Sequence, residues 1–200
     1  MNFKAIIQAR MNSTRLPNKL MLDLGGKSII QRVYEQCIKA KEITAVYIAV
    51  DHLELMTHCT AFTPNVIHTS EHHQSGTDRI AEAVGKIDCD AVINVQGDEP
   101  LVPPQVIDQL CEGMLARPDV TMATLSEPIS DIDDFLNPNV VKVVADDAGM
   151  AMTFSRSPIP YPRDTAGGDV PTGAARHVGI YGFRVSALRR FIALGESSLE

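Results

Sequence analysis

The sequence predicts an α/β fold in which an open, mostly parallel sheet carries helices on both faces. Apolar strand segments alternate with segments of helical periodicity up to residue 116, as they do in consecutive βαβ units. The strand segments are apolar throughout, which is typical of strands buried on both faces. The chain has 200 residues, 44% of them hydrophobic, so we expect residues 1–200 to form a single domain with a substantial core.

The first half of the chain supplies the parallel strands and the helices that cover them. Strands are predicted at 5–9 (AIIQA), 45–50 (AVYIAV), 65–68 (NVIH) and 91–96 (AVINVQ). Helices are predicted at 28–40, 52–62, 75–87 and 103–116. The third helix opens with the capping residues Ser75, Gly76 and Thr77, and the fourth has proline near its first turn.

The second half of the chain has strand segments with only short helical pieces between them. These segments are 121–125 (TMATL), 140–145 (VVKVVA), 150–155 (MAMTFS) and 177–184 (HVGIYGFR). We expect a small C-terminal region of mixed strands that extends the sheet or forms a subdomain. The loop 157–175 is rich in proline and glycine, and its length suggests function or mobility.

The composition argues against several classes of protein. A formal net charge of −7 is unusual for a general binder of nucleic acid or membrane surfaces. The start MNFKAII has too short an apolar run for a signal peptide, and no segment approaches the roughly 20 apolar residues of a membrane-spanning helix. The four cysteines lack CxxC spacing and are predicted to be buried reduced thiols. We therefore expect a cytoplasmic protein.

A cationic loop, RMNSTRLPNK (10–19), follows the first predicted strand. It carries Arg10, Arg15 and Lys19, with the hydroxyls of Ser13 and Thr14 between them. Ligands bind at the carboxyl ends of parallel strands, and these side chains suit the phosphates of a nucleoside triphosphate. No GxxxxGK[ST] and no GxGxxG follows the strand, so neither a P-loop nor a dinucleotide fold is supported. On charge alone, a solvated surface loop is almost as good an interpretation.

Two further segments have the residue types of a nucleotide site. In INVQGDEPL (93–101), Asp98 follows a buried strand and a glycine, a suitable place for Mg²⁺ bound to substrate phosphates; the alternative is an ordinary acidic turn. In HHQSGTDRIAE (72–82), the start of a helix could meet an anion or the polar edge of a base. The histidines before it lack cysteines at zinc-ligand spacing, so a solvated loop is the preferred interpretation.

Six motifs, in order, resemble those of the 3-deoxy-manno-octulosonate (Kdo) cytidylyltransferases. They are QARMNSTRLPNKL, HHQSGTDRIAE, INVQGDEPLVPP, NPNVVKVV, FSRSPIPY and RHVGIYGFR, and they span essentially the whole chain. The resemblance implies a Rossmann-like nucleotidyltransferase fold and the reaction of CTP with Kdo to give CMP-Kdo and diphosphate. It also implies a Mg²⁺ cofactor, a homodimer and a role in lipopolysaccharide precursor synthesis. The acidic charge noted above, and not the resemblance, is what leads us to expect no nucleic-acid or membrane partner.

The resemblance also implies roles for individual residues. Arg10, Ser13, Arg15 and Lys19 would bind the CTP phosphates, with Arg10, Lys19 and Asp98 as catalytic residues and Asp98 as the metal ligand. Thr77 and Arg79 fall where the family recognises the nucleotide, Arg79 near the cytosine. The substrate-binding residues implied are Gln96, Arg156, Arg163, His177 and Tyr181.

The chain departs from the family pattern at several positions. Gln8 stands where the motif has proline, Asn18 where it has glycine, and Leu20 and Met21 where it has Pro-Leu. This first motif is closer to cytidylyltransferase-like proteins of surface-polysaccharide synthesis. Family members continue beyond residue 200 into a helix that contacts the sugar and a late aspartate that helps hold magnesium. We therefore keep two alternatives: a cytidylyltransferase for another acidic sugar, and a nucleotide-binding remnant without turnover.

Overall fold

The computed structural model describes residues 1–11, 16–73, 75–161, 163 and 169–194, and these form two compact units. The first unit contains Met1–Ala123 and the described residues from Ile180 onward, and the second contains Thr124–Gly179. The strands are β1 (Phe3–Ala9), β2 (Ile43–Val50), β3 (Val66–His68), β4 (Ala91–Gln96), β5 (Met122–Pro128), β6 (Lys142–Ala145), β7 (Ala151–Ser155) and β8 (Ala175–Arg184). The α-helices are α1 (Ile29–Cys37), α2 (Leu53–Thr60), α3 (Gly76–Val84), α4 (Pro104–Ala116), α5 (Ile132–Leu136) and α6 (Val185–Ile192).

The sheet of the first unit is parallel at its centre. Its strands lie in the order β3-β2-β1-β4, all parallel, and the end of β8 pairs antiparallel with β4. The predicted α/β fold with a mixed, mostly parallel open sheet is confirmed. The carboxyl ends of β1, β2, β3 and β4 therefore share one edge, where a ligand site is expected.

Helices cover both faces of this sheet. Val92 packs with Ile80 of α3 and Leu188 of α6 in one buried cluster. The next residue, Ile93, lies beside Met114 of α4, since both approach the same glycine of β8. Successive strand residues point to opposite faces, so α3 and α4 lie on opposite sides of the sheet. Each fully buried aliphatic side chain contributes roughly 1.5–3 kcal/mol of apolar burial to this packing.

The second unit is a smaller arrangement of antiparallel strands. β6 pairs antiparallel with β7 and with the start of β8, where Lys142 is the partner of Arg176. A small core forms around Phe135 of α5, with Ile129 and Ala174. This matches the predicted C-terminal region of mixed strands.

Two elements were not predicted. A short 3-10 helix covers Lys19–Met21, within the cationic loop, and α6 follows β8 directly. The N-cap position of α6 is Arg184, whose side chain makes no capping hydrogen bond, so the usual sequence signal for a helix start is missing. Only Leu188 of this helix is fully buried.

The cysteines are unpaired, as predicted. Cys37, Cys59 and Cys111 are buried, and burial raises the pKa of each of these thiols to about 12. Such thiols stay protonated and unreactive near neutral pH. In the described parts of the chain, every helix is too short or too polar to cross a membrane.

Candidate functional site

The carboxyl ends of β1 and β4 form the floor of the candidate site. Gln8 is the register partner of Gln96, and Gln8 Nε2 donates a hydrogen bond of 2.6 Å to Gln96 Oε1. The Gln8 side chain also lies against Gly76, where an added Cβ would fall 1.7 Å from Gln8 Oε1. Position 8, where the family motif has proline, is therefore occupied by an amide that ties β1 to β4 and fills the space beside α3.

Gly97 carries the chain out of β4 close to β1. A Cβ at this position would come within 2.6 Å of the Gln8 carbonyl oxygen, a main-chain atom that cannot easily move away. Asp98 follows immediately and lies at the sheet edge with 46% of its side chain exposed. The close approach of Gly97 to β1 thus fixes the position of Asp98 relative to the ends of β1 and β4.

Lys19 and Asp98 form the central ion pair of the site. Lys19 Nζ donates a hydrogen bond of 2.7 Å to Asp98 Oδ2, and 36% of the lysine side chain is exposed. Exposed ion pairs contribute only about 0–1 kcal/mol, so a bound ligand can separate these two groups at little cost. The pairing confirms that the cationic loop and the acidic turn reach the same place.

Asn18 comes directly before Lys19, and its backbone conformation sets the direction in which the chain enters the 3-10 helix. It precedes the 3-10 helix in the left-handed conformation, with φ 55° and ψ 24°. Glycine and asparagine adopt that conformation more readily than other residues. Asn18 can therefore adopt a backbone conformation that glycine at this position would also allow.

The acidic turn has the chemistry of a magnesium ligand without a preformed cage. Burial, and next the charge of Asp98, raise the pKa of Glu99. Among the residues that the structure describes, no three His, Cys, Asp or Glu side chains gather as a metal site. Magnesium commonly uses one or two carboxylates together with substrate phosphates. Asp98 fits that mode of binding, and its role as metal ligand stays a prediction.

Arg10 stands at the start of the cationic loop, directly after β1. Its side chain is exposed, and Nη2 lies 3.5 Å from the His73 carbonyl oxygen, at the long limit of a hydrogen bond. The guanidinium is thus oriented over the carboxyl edge of the sheet by a weak contact. Ser13 and Arg15, which we predicted to bind phosphates, lie outside the described residues.

The start of α3 is a capped helix N-terminus at the carboxyl edge of the sheet. Ser75 and Asp78 form a reciprocal capping box in which Ser75 Oγ accepts from Asp78 N and Asp78 Oδ2 accepts from Ser75 N. Thr77 is the second residue of the helix and is partly exposed. Main-chain N–H groups of a first turn have no partner within the helix, so this end of α3 suits an anion or a base edge.

Arg79 is fully buried beneath the site. Its Nη1 donates to Thr69 Oγ1 at 2.7 Å and its Nη2 to Asp51 Oδ2 at 3.1 Å. Its Nε is buried with no hydrogen-bond partner in the described structure. Burial lowers the pKa of Arg79, Asp51 opposes this, and the charge of Arg10 adds to it. Base recognition by Arg79 stays a prediction, and its described contacts are with Asp51 and the loop after β3.

Glu82 of α3 holds the loop that follows β3. Its Oε2 accepts from Ser70 N at 2.8 Å and lies 2.7 Å from His73 Nε2, and its Oε1 accepts from Lys86 Nζ at 2.7 Å. Burial acts to raise the pKa of Glu82, but the three donors outweigh it and lower that pKa to about 2. The carbonyl that faces Arg10 therefore belongs to a loop fixed by a charged group.

The second unit contains three of the predicted sugar-binding residues. Arg156 is exposed, and its Nη1 donates to the Pro138 carbonyl at 3.0 Å. His177 Nε2 lies 2.9 Å from Thr124 Oγ1, and burial lowers the pKa of His177, which favours the neutral ring. Arg163 is also exposed. The contacts described for these three residues do not bring them together, and their roles in sugar binding stay predictions.

Lys142 is a residue of the second unit that our sequence reasoning missed. It is fully buried, and its Nζ donates to the carbonyls of Asn137, Val140 and Arg156 at 2.9, 2.7 and 2.9 Å. Burial, and then the charge of Arg156, lower the pKa of Lys142. The ammonium thereby connects the turn before β6 to Arg156, the first residue after β7. The segment VVKVVA predicted only a strand, and a charge at its centre was the available signal.

Tyr181 and Asp51 complete the described part of the site in the first unit. Tyr181 pairs with Asn94 across β8 and β4, is half-buried, and stacks its ring 6.1 Å from that of Phe183. Burial raises the pKa of Tyr181. Our sequence reasoning did not select Asp51, the first residue after β2. The rule that selected Asp98, a carboxylate at the carboxyl end of a buried strand, would have selected it too.

Comparison with known proteins identifies the family of the chain. A family model described as cytidylyltransferase matches residues 4–200. The chain is 47% identical over 209 residues to the 3-deoxy-manno-octulosonate cytidylyltransferase of Cellvibrio japonicus, a match that covers 100% of this chain and 82% of that protein. It is 48% identical over 197 residues to the protein of the same name from Chloroherpeton thalassium, covering 98% of this chain and 79% of that protein.

A solved structure has nearly the same fold. The structure of CMP:2-keto-3-deoxy-manno-octonic acid synthetase complexed with CTP superposes with a TM-score of 0.91 at 38% identity, covering 99% of this chain and 80% of that one. A cytidylyltransferase from Leptospira borgpetersenii, at 19% identity and a TM-score of 0.63, shares the fold. The fold and the carboxyl-edge site described above are thus found in a chain similar to proteins that use CTP.

Proposed function

The chain belongs to the cytidylyltransferase family, and we propose on this premise that it activates Kdo with CTP, giving CMP-Kdo and diphosphate. The observation that carries the proposal is the meeting of Lys19 and Asp98 at the carboxyl edge of β1 and β4. A cation for phosphate and a carboxylate for a divalent ion stand there side by side. The two motifs that contain Lys19 and Asp98 lie in a chain that is 47% identical to a Kdo cytidylyltransferase.

The chemistry requires positioning and charge neutralisation. The anomeric hydroxyl of the sugar attacks the α-phosphorus of CTP, a new P–O bond forms, and the hydroxyl proton is lost to water. The bond between the α-phosphorus and the oxygen that bridges to the β-phosphate breaks, and diphosphate leaves with that electron pair. Lys19 and Arg10 would bind phosphate oxygens and neutralise the charge that accumulates on the diphosphate. Thr77 and the start of α3 would meet the nucleotide through main-chain N–H groups.

We propose Mg²⁺ as the cofactor, with Asp98 as its protein ligand. Bound there, the ion would supply charge stabilisation on the phosphates and increase the acidity of the sugar hydroxyl. Lys19 would then exchange Asp98 for a phosphate oxygen, since the existing pair is exposed and weak. The exchange keeps both charges compensated before and after CTP binds.

The sugar acid would be recognised by cationic and neutral donors. Arg156 is exposed and can bind a carboxylate in bidentate fashion. His177, kept largely neutral by burial, can donate a hydrogen bond to a sugar hydroxyl or accept one from it. Gln96, Arg163 and Tyr181 are further candidates for contact with the sugar.

We also propose that the chain works as a cytoplasmic homodimer in lipopolysaccharide precursor synthesis. Met150, Met152 and Phe154 are exposed at and beside β7, and Met152 is 70% exposed. An apolar strand of this kind would be covered by a second copy of the chain. Four unpaired cysteines fit a reducing compartment.

One assay tests the catalytic proposal. The purified chain is incubated with CTP, Mg²⁺ and Kdo, diphosphate release is measured, and CMP-Kdo is identified by mass spectrometry. A panel of other 2-keto sugar acids is run in parallel. Product from Kdo supports the proposal, and product from another acid alone would reassign the substrate. Tight CTP binding with no product from any acid would show a nucleotide-binding remnant.

A further inference from the structure

Asp51 connects three elements at the carboxyl edge of the sheet. It is the first residue after β2, and only 11% of its side chain is exposed. Its Oδ2 accepts from Arg79 Nη2 at 3.1 Å, and its Oδ1 accepts from the main-chain N–H of Met11 at 2.9 Å. Both carboxylate oxygens are thus used, one toward α3 and one toward the cationic loop.

The Arg79 side of this arrangement is rigid. Arg79 is fully buried, and its Nη1 also donates to Thr69 Oγ1, which in turn donates to the Val50 carbonyl at 2.9 Å. The guanidinium is therefore fixed by groups at the ends of two neighbouring strands. Because a buried cation must be compensated, Asp51 has little freedom to move away from it.

The Met11 side is where the cationic loop leaves the sheet. Met11 follows Arg10 directly, and Lys19 lies eight residues further along the chain, at the far end of the loop. A hydrogen bond from the Met11 N–H to a fixed carboxylate holds the main chain in place where the loop begins. It also sets the position of the residue that carries the first phosphate-binding guanidinium.

Electrostatics adds a second reason for a carboxylate here. The positive charges of Arg10 and Arg79 act on one another across this edge. Asp51 neutralises the buried guanidinium and leaves the exposed one to face an anion. An amide at position 51 could not do both, because it has one acceptor oxygen and would present its NH₂ either to Arg79 or to the Met11 N–H.

We propose that Asp51 is a positioning residue for the triphosphate-binding loop, acting through the Met11 N–H and fixed by Arg79. The inference rests on the proposed function only in that the loop binds the phosphates of CTP. It places Asp51 outside the catalytic and binding residues, since it contacts the loop and Arg79 and no reacting atom. Its removal should therefore weaken the part of binding that depends on phosphate.

The test compares CTP with cytidine in the same variants. In Asp51→Asn, we expect the Kd for CTP, measured by calorimetry, to rise about tenfold or more, and the Kd for cytidine to rise by a smaller factor, because the base is affected only through Arg79. In Asp51→Glu, which keeps the charge for Arg79 but displaces the carboxylate, we expect the same selective loss with a melting temperature near that of the wild type. The Glu variant keeps the test decisive if the Asn variant does not fold.

Asp108→Asn is the matched control. Asp108 on α4 accepts from the main-chain N–H groups of Lys41 and Glu42, just before β2 and hence at the opposite edge of the sheet. The Asp108→Asn variant should have a lower melting temperature but an unchanged ratio of the Kd for CTP to the Kd for cytidine. Equal losses of CTP and cytidine binding in Asp51→Glu, or no loss, would overturn the proposal. A wild-type chain that binds CTP but does not use Kdo would defeat the sugar assignment alone.

Discussion

Lys19 Nζ lies 2.7 Å from Asp98 Oδ2, so the lysine of the cationic loop is neutralised by the carboxylate proposed to hold magnesium. The two residues are 79 positions apart in sequence and meet because β1 and β4 are parallel neighbours. This one contact joins Lys19, which we propose binds phosphate, to Asp98, which we propose holds Mg²⁺.

This contact should matter for activity and hardly at all for stability. In Lys19→Met and Asp98→Asn we expect the free energy of unfolding, from urea titration, to fall by less than about 1 kcal/mol, because the pair is exposed. We expect kcat for diphosphate release to fall by about 10²–10³-fold, because charge stabilisation of the transition state is lost. Lys27→Met, which breaks a comparable exposed pair with Glu35, is the control and should leave kcat unchanged. A large loss of stability with normal kcat would contradict this role.

Gly97 should tolerate no side chain. Gly97→Ala would place a Cβ 2.6 Å from the Gln8 carbonyl oxygen, so the chain must shift and Asp98 with it. We expect a loss of about 1–3 kcal/mol in unfolding free energy together with lower activity.

Gly113 of α4 provides the matched control for that substitution. A Cβ there meets nothing within 4 Å, and alanine is a better helix residue, so Gly113→Ala should stabilise the chain by up to about 1 kcal/mol. The two variants can be compared in one denaturation series. Equal stabilities would show that Gly97 is not held against β1.

Glu82 should give stability a defined dependence on pH. Its pKa in the folded chain is about 2, below the ordinary value of 4.5, so its stabilising contribution is present above pH 4.5 and is lost as the pH falls from 4.5 towards 2. In Glu82→Gln we expect unfolding free energy at pH 7 to fall by about 1–2 kcal/mol. Thermal melts between pH 7 and pH 3 should then show a flatter curve for the variant. Parallel curves for both proteins would contradict the assigned pKa.

Lys142 should stabilise the second unit and support Arg156. Lys142→Met removes three hydrogen bonds from a buried ammonium to main-chain carbonyls, and we expect unfolding free energy to fall by about 1–3 kcal/mol. Because one of these carbonyls belongs to Arg156, KM for Kdo should rise about threefold to tenfold while the Kd for CTP stays unchanged. Arg156→Met, which removes the guanidinium itself, should raise KM for Kdo further. An unchanged KM in both variants would show that the sugar acid binds elsewhere.

The fold could be predicted well because the central strands can be recognised from their local sequence alone. AIIQA is apolar except at Gln8, and AVINVQ is apolar except at Asn94 and Gln96, and a short segment of that kind has few alternatives to a strand buried on both faces. Helix α3 was placed by its capping residues, which act locally. Helix α6 was missed because Arg184 gives no capping signal, although its amphipathic residues follow β8 without a turn.

The site was less accessible to sequence reasoning, because its contacts join distant positions. The pattern placed Lys19 and Asp98 at the same edge of the sheet, and the structure places them in contact. It could not show that Arg79 is buried against Asp51, since helical periodicity gives a face and not its depth. The three carbonyls around Lys142 come from turns and strand ends whose geometry no local pattern encodes.

The left-handed backbone at Asn18 limits what can stand there. A side chain branched at Cβ would be strained at φ 55°, so substitution at this position is governed by conformation before any ligand is considered. Asparagine tolerates the geometry while leaving the unfolded chain fewer conformations than glycine does, a difference typically of about 0.4–1 kcal/mol. The segment that leads into Lys19 therefore loses less conformational entropy on folding than the same segment with glycine at position 18 would lose. The backbone that carries the Lys19 ammonium group is thus restricted before any ligand binds.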